Sequence, residues 1–374
     1  MKSKFLTIIL YIIMIFLIIA LAVVGVAIYM DFIGEDSSAI IYEIENIATE
    51  KPENTTAISA TGKLSELNLV STNSEKTSKD ETSYSSDINS RYFYNQLSNE
   101  QKNIYNGLQN NKNNLKKGDY VINYGDIFPN STTEEEGSKK LGDDYQTAVE
   151  AFIHDNADLF YLDVNKMYLN IERTTKYFQT THNIYISPAT GRTYLSDDFT
   201  STEQIDAANE KIEEIKNIVL NRLTGTDYQN ISYIHDFLVN SIEYDTTYNA
   251  LGTHSIYGAL IEKKCVCEGY MKAFKYLANA AGYECEMMQG TATNSSGQTE
   301  SHAWNCIKYN GTWYQVDVTW DDPIIIGNGI LSDTSRYKYF LKGTRTFEKD
   351  HVISYQFSDN GKLFSYPLIS SQDY

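Results

Sequence analysis

Only four of the 374 residues are cysteine, at positions 265, 267, 285 and 306, and that scarcity excludes a disulfide framework of the small secreted kind. Cys265-x-Cys267 lacks the C-x₂₋₄-C spacing of a structural zinc site and has no second pair, so neither a metal nor a cofactor is expected. Positive charge is also short: 31 Lys and Arg face 49 Asp and Glu, a formal charge of −18. With no basic patch to offset it, that balance excludes non-specific binding to nucleic acid or to an anionic surface. Internal repeats are absent too.

What the chain has is a run of 26 uncharged residues, Phe5–Met30, preceded by Lys2 and Lys4. A stretch of about 20 apolar residues crosses a bilayer as a helix, whereas the core of a cleaved signal is about 7–15 long. Residues 5–30 are therefore expected to be a transmembrane signal anchor, with 1–4 as a cytoplasmic tip and the rest outside the cell membrane. The competing reading is a cleaved signal ending near Ala20-Leu21-Ala22. Residues 31–88 hold 12 acidic and 4 basic side chains among Ser, Thr and Asn. That composition predicts a disordered acidic stalk, since it offers too little apolar surface to offset the entropy of ordering.

Beyond the stalk the pattern becomes that of a mixed α+β protein. Ser98 with Gln101, Ser201 with Gln204 and Thr226 with Gln229 are helix-start signals, each followed by apolar residues at helical spacing. Tyr145–Phe160 reads as another helix that ends near Asn156, and Tyr168–Ile171 and Asn183–Ile186 as short strands. Residues 89–200 form an accessory helical and strand region without recognisable chemistry. Residues 201–374 carry the candidate site. His235 reads as a surface or satisfied core histidine.

Val266-Cys267-Glu268-Gly269-Tyr270 opens an apolar-periodic run that closes at Gly282, which puts Cys267 in the first turn of a buried helix. The free N–H groups and macrodipole of a helix start stabilise a thiolate, and they point donors at an oxyanion. Downstream, His302 to Tyr309 and Thr312 to Val318 flank Asn310-Gly311, the strongest short hairpin signal. A two-residue turn pairs Tyr309 with Thr312. His302 and Asp317 then share one face as a diagonal pair, about 7–8 Å apart at Cα, while Ala303, Ile307, Tyr314, Val316 and Val318 take the other. A thiolate needs an imidazole as proton partner, and the imidazole needs a third group to fix its tautomer. Cys267, His302 and Asp317 supply these in order.

VCEGY, HAWN and WYQVDVTWDDP closely resemble the three motifs of the transglutaminase-like superfamily, over roughly residues 201–345. The resemblance implies a papain-like fold, with a nucleophile helix on an antiparallel sheet, and acyl transfer by Cys267, His302 and Asp317. Tyr244-Asp245 and Ser255–Leu260 resemble the approach to the nucleophile in bacterial members, with Tyr257 as a candidate oxyanion contributor. Cys265 stands where members usually have a small residue, which raises oxidative regulation. The expected partners are protein or peptide substrates, including cell-wall or surface proteins, and the alternative is a catalytically silent surface module that binds peptide or glycan.

Overall fold

Asn99–Asn110 (α1) begins where Ser98 accepts from the Gln101 backbone and the Gln101 side chain accepts from the Ser98 backbone, a complete capping box. Thr226 and Gln229 close the same box ahead of Asp227–Ser241, and Ser201 caps Thr202–Leu220 in simpler form. This computed structural model describes residues 42–47, 91–126, 135–176, 179–322, 336–355 and 364–374. The apolar run Phe5–Met30 lies outside the described residues, and among those described no helix is long and apolar enough to cross a membrane.

Most of the 31–88 stretch also lies outside the described residues. Within it, Tyr42–Ile47 is a strand (β1) rather than part of an unstructured stalk, and pairs in parallel with Tyr168–Lys176 (β3). Tyr42 and Ile44 alternate there with acidic residues, a period-2 pattern hidden by the average composition. β3 pairs on its other side with Gln179–Ser187 (β4), and Ile122–Gly125 (β2) completes a sheet of order β1-β3-β4-β2. Both expected strands prove longer than their apolar cores. Likewise, Glu135–Asp155 (α2) starts ten residues before its apolar periodicity does.

The accessory region and the later half share one core. Phe93, Ile104, Leu108, Phe152 and Ile184 belong to the same buried cluster as Ile234, Phe274, Cys285 and Ile307. In that later half, Thr202–Leu220 (α3) and Asp227–Ser241 (α4) pack on Cys267–Ala280 (α5), which in turn lies on a second sheet. That sheet has the order β10-β7-β8-β9, built from His351–Ile353 (β10), Cys285–Thr293 (β7), Thr299–Tyr309 (β8) and Thr312–Val316 (β9), all antiparallel neighbours. A small parallel pair, Glu243–Tyr244 (β5) and Lys264–Cys265 (β6), leads into α5.

The β8–β9 register is the expected one, with Tyr309 opposite Thr312 and Asn305 opposite Val316. Asn310 and Gly311 both take positive φ, 50° and 76°, as a two-residue turn of matching twist requires. The pairing stops at Val316. The Asp317 N–H donates to the Tyr339 carbonyl, at 3.2 Å, on the same edge where Gln315 N donates to Lys342.

Candidate active site

Cys267 is the first residue of α5, after Val266 as N-cap. Its place depends on Gly269: a Cβ there would come within 2.7 Å of Cys265 Sγ and 3.1 Å of the Thr253 carbonyl. The helix start can therefore press onto β6 only with glycine at that position. Asp245 secures the preceding loop by accepting from Thr247 N, Ala250 N and the hydroxyls of Thr247 and Thr253. Thr253 in turn accepts from Val266 N. On the far side, Asn305 Nδ2 donates 3.0 Å to the Met271 carbonyl, locking α5 to the strand that carries His302. The buried Lys275–Glu286 pair, at 2.5 Å, ties the same helix to β7. Sequence reasoning assigned none of these supports, although Asp245, Gly269 and Asn305 all stand inside its motifs.

His302 lies on β8 and its Nε2 is 2.8 Å from Asp317 Oδ2, both side chains buried. Burial disfavours a charged imidazole, but Asp317 and then Cys267 outweigh it, through charge and through hydrogen bonds, and lift the pKa from 6.5 to about 10. Asp317 moves the opposite way. Burial would raise it, yet His302 and His351 hold the carboxyl well below the usual range. Its Oδ1 also accepts from Trp320 N at 3.1 Å. Cys267, half-buried, packs beside Met271, Met287 and Ala303. The structure thus brings together the three residues that the sequence singled out.

Tyr257 is placed elsewhere. Its ring packs on Phe160 and Phe199, at centroid distances of 5.9 and 5.1 Å, and its phenol neighbours Glu262. The phenol that feels Cys267 is Tyr244, pushed up first by burial and then by the charge of that thiol. The expectation for Tyr257 rested on the resemblance of Ser255–Leu260 to the approach to the nucleophile in bacterial members, and here its ring, just ahead of Gly258–Glu262, turns to Phe160 and Phe199 instead. Cys265 is fully buried and burial pushes its thiol far up. That environment favours an inert thiol and gives no support to oxidative regulation. His235 is a satisfied core histidine, between Asp236 at 3.0 Å and Asp321 at 3.2 Å. Trp304 is core as well, donating to Gln315 Oε1 at 2.9 Å.

Sequence reasoning missed His351. Its Nε2 lies 3.2 Å from the same Asp317 oxygen, and its Nδ1 lies 2.7 Å from Asp350 Oδ1. His302, Asp317 and His351 offer ligand atoms within 4.8 Å of one another, the one cluster of metal-ligand spacing among the described residues. Hydrogen bonds through Asp317 account for that spacing without an ion. Chemically, the arrangement offers a nucleophile at a helix start, a buried imidazole that carries a proton, and an acid that orients it.

Comparison with known proteins gives the same region a family. Residues 209–318 match the family model described as the transglutaminase-like superfamily. Kyphoscoliosis peptidase of Homo sapiens is 28% identical over 144 residues, which cover 34% of this chain and 21% of the relative; the Mus musculus protein matches equally. The chain thus spans about a fifth of the length of these curated relatives. Among solved structures, a TGase aligns at 15% identity and TM-score 0.29, covering 47% of this chain and 50% of that one. The periplasmic domain of TgpA from Pseudomonas aeruginosa, bound to ethylmercury, aligns at 17% identity and TM-score 0.24, with 38% and 56% covered.

Proposed function

Because residues 209–318 belong to the transglutaminase-like superfamily, we propose that this chain is a cysteine acyltransferase or hydrolase acting on protein or peptide amides. The observation that carries this reading is the 2.8 Å contact of His302 with Asp317, with Cys267, at a helix start, interacting with the same imidazole.

In this mechanism Cys267 Sγ attacks a carboxamide carbon, forming a C–S bond while the carbonyl pair moves to oxygen. The Cys267 N–H at the free helix end helps to hold that oxyanion. Collapse then breaks the C–N bond, and His302 gives its proton to the leaving amine. The thioester passes next to an amine, giving a crosslink, or to water, giving deamidation or cleavage. The incoming group's proton returns to His302 as the C–S bond breaks, and the sulfur leaves as the thiolate that began the cycle. Asp317 keeps the imidazole in one orientation throughout. Phe5–Met30 would anchor this chemistry at the cell surface, within reach of cell-wall and surface proteins; protease added to intact cells should then remove the folded part.

The test is incubation with a primary-amine probe and a glutamine-rich protein. Covalent labelling identifies transfer, whereas ammonia released without labelling, or new amino termini, identifies hydrolysis. Absence of all three with a folded protein would overturn the reading.

A further inference from the structure

The site contains a second imidazole that the three-residue mechanism does not use. His351 begins β10, the edge strand that pairs with β7 through His351 opposite Ala292. A close approach makes room for that pairing, because a Cβ at Gly290 would fall 1.9 Å from the Val352 carbonyl. The His351 ring is enclosed. Trp304, Trp320, Tyr339 and Phe347 surround it at centroid distances of 5.1, 4.6, 5.2 and 4.7 Å. Its side chain is 1% exposed.

Both nitrogens face carboxylate oxygens, Asp317 Oδ2 from Nε2 and Asp350 Oδ1 from Nδ1. Asp350 is itself fixed, since its Oδ2 accepts from Tyr339 OH at 2.6 Å and that hydroxyl accepts from Lys338 Nζ at 2.7 Å. A carboxylate can only accept, so His351 must donate to be bonded at either end. The Asp317 carboxylate therefore receives donors from three separate parts of the chain: His302 on β8, Trp320 N in its own turn, and His351 on β10. With Asp317 one residue past the end of its strand, the hairpin ladder no longer holds it. The donors do.

We propose that His351 is a positioning residue of the thiol site, which holds the same Asp317 Oδ2 that meets His302 Nε2 and so fixes the imidazole that serves Cys267. This rests on the reading of Cys267, His302 and Asp317 given above. It deepens that reading by making the working unit four side chains, with Asp350 as an outer anchor.

The side chain at 351 can be varied to separate positioning from packing. His351→Gln keeps a donor at about the reach of Nε2, whereas His351→Leu fills the aromatic box and donates nothing. A role in packing alone favours leucine, because an apolar side chain suits an apolar enclosure. Positioning favours glutamine. The readout is the rate at which iodoacetamide alkylates Cys267 in the full chain, followed by mass spectrometry and as a function of pH; the other three thiols are buried. His351→Leu should slow the reaction at neutral pH by about tenfold and displace its pH profile, while His351→Gln should stay within about threefold of the parent. A folded leucine variant with the parent's rate and profile overturns the inference, as does equal loss in both variants. Should leucine prevent folding, Asp350→Asn tests the same clamp from its half-exposed outer end, and a parental rate there counts against it. A parent Cys267 that reacts no faster than an unfolded thiol brings down the functional reading and this inference with it. Fast alkylation unaffected by residue 351 removes the inference alone.

Discussion

Asp317 lies one residue past the last paired position of its hairpin, and its Oδ2 still sits 2.8 Å from Nε2 of His302. Orientation of the imidazole is thus decided by a residue just past the strand, whose N–H donates to Tyr339. Three predictions follow from that placement and from the helix it serves, and a fourth from the turn that sets the register.

Removal of each catalytic candidate should give a graded loss. Cys267→Ala should abolish amine labelling with the fold intact, since a small change at a half-buried helix start leaves little cavity. His302→Ala should cost roughly a hundredfold or more by losing the proton carrier. Asp317→Asn should cost less than loss of the nucleophile, and the single losses should not add in combination. Cys265→Ala should keep most of the activity, because that thiol is buried away from the reaction. Rates of probe incorporation for the four variants decide the assignment, and a live Cys267→Ala beside a dead Cys265→Ala reverses it.

Stability should fall as pH rises above neutral. His302 has its pKa raised from 6.5 to about 10 in the folded chain. Its ion pair therefore stabilises the fold fully below pH 6.5, and the contribution is lost as pH climbs through about 10. Asp317 is depressed, so its share is present above the ordinary carboxylate pKa of 3.8 and lost on acidification. Unfolding free energies from urea titrations at pH 6 and pH 9 should differ by roughly 3 kcal/mol, and His302→Gln should flatten that difference. An unchanged slope in the variant contradicts the pairing.

Gly269→Ala should disable the site without touching a catalytic side chain. The added methyl would sit 2.5 Å from Cys265 Cβ and 2.7 Å from its Sγ, so the helix start must move. A loss of about 2 kcal/mol is expected from the overpacking, with Cys267 labelling falling along with it. Thermal melting and alkylation measured together check this; a variant as stable and as reactive as the parent would show the approach to be loose.

Gly311→Ala should do the reverse. Nothing lies within 4 Å of the new methyl, but φ is +76°, so the substitution strains the turn alone. Stability should drop by about 1 kcal/mol while Cys267 reactivity survives in the folded protein. Lost reactivity at unchanged melting temperature would mean that the turn steers the site directly.

Local chemistry in the sequence settled much of this protein. Ser98, Ser201 and Thr226 mark helix starts because their side chains satisfy N–H groups within one turn. Asn310-Gly311 sets the register because two adjacent residues at positive φ admit a single tight turn, and period 2 then assigns the faces. The start of α5 at Cys267 was legible from local pattern too, from apolar spacing over the 14 residues that begin with it. Only the tertiary structure decided the rest. His351 joins Asp317 across 34 residues through an edge strand of three, too short for any periodicity to announce. Tyr257 stands in a stretch that resembles the approach to the nucleophile, yet its ring is turned into an aromatic cluster by packing against Phe160 and Phe199. Pairing between distant strands and the burial of rings depend on what the remainder of the chain brings alongside, and no local pattern in the sequence carries that information.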